Sequence, residues 1–145
     1  MSQGQLERIG PDAILAFNYL SQARSFLRDG AVEILSAEGR SVLLHAAAIA
    51  ACDAVLATRG WEVEGSEGGH KLRLAKAGEL LPSSLEELFE RLDENRMTRH
   101  ERSYLAGAVA PSEVDDVLAD VRVLMAAAEE AVLPSVPPWL AGPAD

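Results

Sequence analysis

Apolar residues recur along this chain at helical spacing almost from end to end. Leu15, Tyr19 or Leu20, Ala23, Phe26 and Leu27 fall at three- and four-residue steps, which predicts a first helix from Pro11 to about Asp29. Pro11 suits the opening turn and Asp12 complements the positive end of the helix dipole. Gly30 is a stop or weak point, beyond which Val32, Ile34 and Leu35 would continue the helix after a kink. Gly39 separates a second helix with Ser41 as its cap. Residues 42–58 are apolar nearly all round, as in the most buried helix of a bundle. After Gly60 the stretch WEVEGSEGGH reads as the main loop. A short third helix over 70–81 carries Leu72, Ala75 and Leu80 on its apolar side, with Lys71, Arg73 and Lys76 assigned to the outside. Pro82 breaks it, and Ser83 or Ser84 caps a fourth helix over 85–107. The fifth enters at Pro111 or Ser112, carries Val114, Val117, Leu118, Val121, Leu124, Met125 and Ala128, and ends before Pro134. These elements predict an all-α fold, an antiparallel four- to five-helix bundle over residues 11–133. Residues 1–10 form a loose lead-in. Residues 134–145 form an extended Pro-rich tail whose Trp139 and Leu140 would tuck into a groove of the same chain or of a neighbour.

The fourth helix changes character halfway. Leu85, Leu88, Phe89 and Leu92 share one face, and the same stripe continued lands on Arg96, Arg99 and Ser103. Cationic side chains on a packing face need carboxylates, an interface or an anionic ligand, because an unpaired buried charge is very costly. Arg91, Arg96, Arg99, His100 and Arg102 are the densest basic cluster in the chain. Asp53, on the apolar second helix and two turns from His45, is the expected buried partner for one of the inward arginines.

Composition narrows the chemistry. Hydrophobic residues make up 48% and aromatics 5% of 145 residues, so the core is built from Ala, Leu and Val. A net charge of −10 opposes non-specific nucleic-acid binding, leaving any such contact to the local basic cluster. Cys52 alone permits no internal disulfide. The three histidines are scattered without a Cys/His or His-x-x-x-His arrangement, so no metal site and no cofactor are expected. No Gly-rich turn leads into Lys-Ser/Thr, which argues against a phosphate-cradling loop. The longest apolar run, 42–57, falls short of a membrane span, and residues 1–10 lack a secretory pattern; a cytoplasmic protein with no membrane partner is expected.

Two stretches carry a family likeness. Tyr19-Leu20-Ser21-Gln22-Ala23-Arg24 precedes the Ala-rich second helix, and Arg99-His100-Glu101-Arg102-Ser103-Tyr104 lies near the end of the fourth. Together they resemble the HEPN superfamily (higher eukaryotes and prokaryotes nucleotide-binding domain). These small, commonly dimeric helical bundles include many ribonucleases of toxin–antitoxin, defence and RNA-processing systems. The resemblance implies Arg99 and His100 at the arginine and its following polar residue, with Tyr104 where active members place the catalytic histidine. It further implies a homodimer, RNA or a nucleotide as ligand, and an antitoxin or nucleotidyltransferase as protein partner. Arg96, Arg99, His100, Arg102 and Tyr104 are the candidate binding residues, and Arg99, His100 and Tyr104 the candidates for any catalysis. Tyrosine is a poor proton shuttle at neutral pH because phenol titrates near ~10. The expected role is therefore binding or regulation rather than cleavage. A metal-independent ribonuclease using Arg99 with His100 or Tyr104, and a purely structural dimeric adaptor, are the alternatives.

Overall fold

The computed structural model describes residues 5–64, 69–105 and 109–141; the side chains of Glu64 and of residues 96–105 lie outside the description. The chain runs β1 (Gln5–Arg8), α1 (Ala13–Gly30), α2 (Ala37–Thr58), β2 (Trp61–Glu64), α3 (His70–Leu80), α4 (Glu86–Leu105), α5 (Pro111–Val132) and the short α6 (Pro138–Ala141). It is an all-α helical bundle with, among the described residues, one two-stranded ribbon.

The helix at the centre is α2. Leu44, Ala47, Ala51, Cys52, Val55 and Leu56 are wholly buried. Its many alanines let the flanking helices approach closely, and α1 supplies Ala16, Leu20 and Ala23, all without exposed surface. From the other side α5 contributes Val114, Val121, Leu124, Ala128 and Val132. By length and composition, α2 is the one described helix able to cross a bilayer, with a mean hydropathy of 1.7 over its best window. The apolar run in the sequence looked too short because the helix extends back to Ala37. More than half of that window is buried inside the bundle.

The junction between α1 and α2 departs from the expected kinked continuation. Residues 31–36 form a turn, and Ser36, rather than Ser41, caps α2 by accepting a 3.0 Å hydrogen bond from the Gly39 amide. Gly39 therefore lies inside the first turn of α2. The turn is fastened by Arg40, only 5% exposed, whose Nε donates to the Gly30 carbonyl at 3.0 Å. Its Nη2 stands 3.5 Å from the Asp115 carboxylate on α5. Gly30 allows the close approach, since a Cβ there would fall 2.8 Å from Leu44 Cδ2. At the start of α1, Asp12 caps the helix through a 3.0 Å bond from the Leu15 amide.

Two segments expected to be irregular are ordered. β1 lies in the expected lead-in and β2 in the expected loop; they pair antiparallel, with Leu6 opposite Val63 and Arg8 opposite Trp61. Val63 is buried, while the Trp61 ring meets the Arg8 guanidinium at 5.0 Å and the Lys76 ammonium at 4.8 Å. Alternation over only four residues is too little periodicity to separate strand from loop. Gly60 makes the hinge from α2 into β2 at φ +90°, and a Cβ there would lie 3.1 Å from the backbone of Gly10 and Pro11. Gly60→Ala is expected to destabilise the fold by about 1–3 kcal/mol through backbone strain and that contact; a chemical denaturation curve measures it.

The C-terminal tail also differs from the extended form expected. A 3-10 turn, Leu133–Ser135, follows α5 and leads to α6. Val136 is buried and Leu140 packs against the core, whereas Trp139 is 74% exposed and so enters no groove of its own chain.

Candidate functional site

The polar chemistry of the described structure gathers where α1, α2, α3 and β2 meet. Asp53, on α2, accepts a 2.8 Å hydrogen bond from Arg73 Nε on α3, with both side chains nearly buried. The expectation that Arg73 points outward is thereby overturned. Arg73, Leu74 and Ala77 lie three, four and seven residues after His70, so the helix face that buries Leu74 and Ala77 carries Arg73 inward with them. Asp53 thus has an arginine as its partner, supplied by α3. Burial raises the Asp53 carboxyl above its ordinary value, and the Arg73 charge and hydrogen bond pull only partly the other way.

Tyr19 joins this group from α1. Burial first, then the nearby charges of Asp53 and of Glu62 on β2, raise its pKa. The phenol therefore stays protonated at neutral pH. Within the same stretch Leu20 and Ala23 enter the core, and Arg24 Nε reaches Glu129 on α5 at 3.4 Å. The Tyr-Leu-x-x-Ala-Arg segment is thus divided among a polar cluster, the core and an interhelical ion pair.

About two turns earlier on α2, His45 Nε2 lies 3.3 Å from His70 Nδ1, with ring centroids 5.2 Å apart and planes at 56°. Their pairing was not expected from sequence, because 25 residues separate them. His45 stands between two hollows. The outer one, about 350 Å3, is lined by His45, His70 and Asp53 together with Gln22, Phe26 and Ile49. The inner one is a cavity of about 40 Å3 among α2, α3, α4 and α5, with Ser41, His45, Asn95 and Glu113 as its polar members. Its size matches about one water molecule.

Asn95 brings the basic half of α4 to this place. Leu88, Phe89 and Leu92 are buried, and α4 runs without a break to Leu105. Arg96, Arg99, His100, Arg102 and Tyr104 follow on that rod, but their side chains lie outside the described residues; Gly107 lies outside them altogether. Arg91, the first of the basic cluster, forms a forked pair with Asp120 on α5, both bonds at 3.0 Å, and is exposed. The Asp120 carboxylate raises its pKa.

Cys52 is fully buried, and desolvation pushes its thiol far above the range in which a thiolate could act. Among the described residues no three or more His, Cys, Asp or Glu side chains group as a metal cluster would. No family model, curated protein or solved structure matches this chain.

Proposed function

We propose that this chain is a cytoplasmic binding module of HEPN type, homodimeric, which holds RNA or a nucleotide without cleaving it. The observation that carries the reading is the unbroken register of α4. Leu88 and Leu92 are buried, and Arg96 and Arg99 follow at helical steps on the same rod, directly after Asn95 at the inner cavity. Guanidinium groups at such positions suit phosphate, which they meet with charge-assisted, often bidentate hydrogen bonds. Tyr104 in the place of a proton-transferring histidine supports binding over cleavage. An antitoxin or nucleotidyltransferase is the protein partner that the same resemblance suggests.

The structural adaptor is the second reading. It is favoured by the way Arg24, Arg40, Arg73 and Arg91 are each held by an acid of another helix. One experiment separates the readings. Labelled single-stranded RNA and tRNA are incubated with the full chain and with Arg99→Ala, and both retention and fragments are scored. Retention of intact RNA, weakened at least about tenfold by Arg99→Ala, is the expected result. Fragments abolished by Arg99→Ala would make the chain a ribonuclease. Failure to retain RNA, with no rise in melting temperature from any nucleotide, would leave the adaptor.

A further inference from the structure

We propose that His45 and His70 form a two-point site for a divalent late first-row transition ion such as Zn2+ or Cu2+. The argument is independent of any RNA binding and rests on the shape of the histidine pair. An imidazole nitrogen binds zinc at about 2.05 Å, so two of them at a tetrahedral angle sit about 3.3–3.4 Å apart. The observed separation of His45 Nε2 and His70 Nδ1 is 3.3 Å.

Ring positions supply a second test. Each nitrogen lies about 1.15 Å from its ring centroid, so tetrahedral chelation puts the centroids about 5.2 Å apart. A straight N–H···N hydrogen bond along both ring axes would put them about 5.6 Å apart at the same nitrogen separation. The observed value is 5.2 Å. The centroid separation is thus the one that two ligands converging on one ion would show, and is shorter than that of a straight bond. The nitrogen separation is also longer than the about 2.9–3.0 Å of an ordinary hydrogen bond.

The surroundings fit the same reading. His45 is carried by the most deeply packed helix and His70 by the first turn of α3, so neither depends on a long loop. Both face the outer hollow of about 350 Å3, which leaves room for water, or for the donor atoms of a small molecule, at the remaining positions. Asp53 at the rim of that hollow is engaged by Arg73, so its negative charge lies near without being required as a ligand. Imidazole nitrogen suits zinc, copper and nickel better than magnesium or calcium, which prefer oxygen. In the ion-free pair one of the two facing nitrogens carries the shared hydrogen. Binding moves that hydrogen to the far nitrogen of the same ring, leaving two lone pairs directed at the metal.

Two histidines at this separation in sequence form no recognisable motif, which explains why spacing alone argued against a metal. The test uses tag-free full chain stripped with chelator. Zn2+ is titrated by calorimetry, and Cu2+ is followed by electron paramagnetic resonance, where nitrogen ligands leave a hyperfine signature. One equivalent should bind, with nitrogen coupling, and His70→Ala and His70→Asn should each weaken binding at least about tenfold while far-ultraviolet circular dichroism stays unchanged. His100→Ala should leave it intact. Binding that survives both His70 variants, loss of binding in His100→Ala alone, or no binding at millimolar ion would overturn the proposal.

Discussion

Leu44→Ala is expected to lower the unfolding free energy by about 3–5 kcal/mol, the upper part of the range for burying and then deleting a leucine side chain. Leu44 has no exposed surface, and it fills the space that Gly30 leaves open where α1 turns into α2. It also lines the inner cavity of about 40 Å3, so the volume released by truncation adds to a void already present. Alanine-rich neighbours make collapse difficult, because Ala47, Ala48 and Ala51 have no side-chain length with which to follow. Urea denaturation monitored by circular dichroism should show a lower midpoint with an unchanged slope. The melting temperature should fall by roughly 10–15 °C. Ile34→Ala is the matched control. Ile34 is 92% exposed in the turn before α2, and its loss should change stability by less than about 0.5 kcal/mol. A Leu44→Ala cost under about 2 kcal/mol would mean that the helices close over the gap.

The helices were legible because each carries a long stripe of Leu, Val or Ala at helical period. Their ends were less so, and the misplaced start of α2 shows why. Ser36 and Ser41 are equally good caps in isolation, and Gly39 argues for a break between them. Tertiary contacts decide otherwise: Arg40 must lie inside the helix to reach both Gly30 and Asp115. The ribbon was illegible for a different reason. Strands of four residues become stable by pairing with each other and by the contacts of Trp61 with two cations, and the paired strands are far apart in sequence.

The site teaches a sharper lesson. Continuing a buried stripe until it meets a charge was the argument that singled out Arg96 and Arg99 on α4. The same step taken backwards along α3, from Ala77 through Leu74 to Arg73 and His70, finds two residues that the structure does bring inward. That signal was present, and it was obscured because Leu72, Ala75 and Leu80 offer a competing apolar face on so short a helix. The pairing of His45 with His70 had no signal of its own. It depends on how α3 docks on α2, which no local pattern encodes.

Arg73→Ala should cost about 3–5 kcal/mol at neutral pH, because it strands the Asp53 carboxylate in a nearly buried position. The loss should grow with pH as for an ordinary salt bridge, although the Asp53 carboxyl itself contributes with the opposite sign. Burial already holds the Asp53 pKa above its unfolded value, with Arg73 opposing that rise. Removing Arg73 deletes the opposition and lifts the folded pKa further. In the window between the unfolded and folded values the native state binds the extra proton, so stability falls as pH rises through it. Below the unfolded carboxyl value Asp53 is neutral in both states, and only the packing part of the penalty remains. The gap between wild type and Arg73→Ala should therefore be widest near neutrality and narrow on acidification, as denaturation curves across that range would register. A gap independent of pH would show that Arg73 acts through packing alone. The double variant Asp53→Leu with Arg73→Met replaces both charges by apolar groups, and should recover most of the loss or exceed wild type. That recovery would place the cost of Arg73→Ala in the uncompensated charge, since the double variant removes the arginine as well.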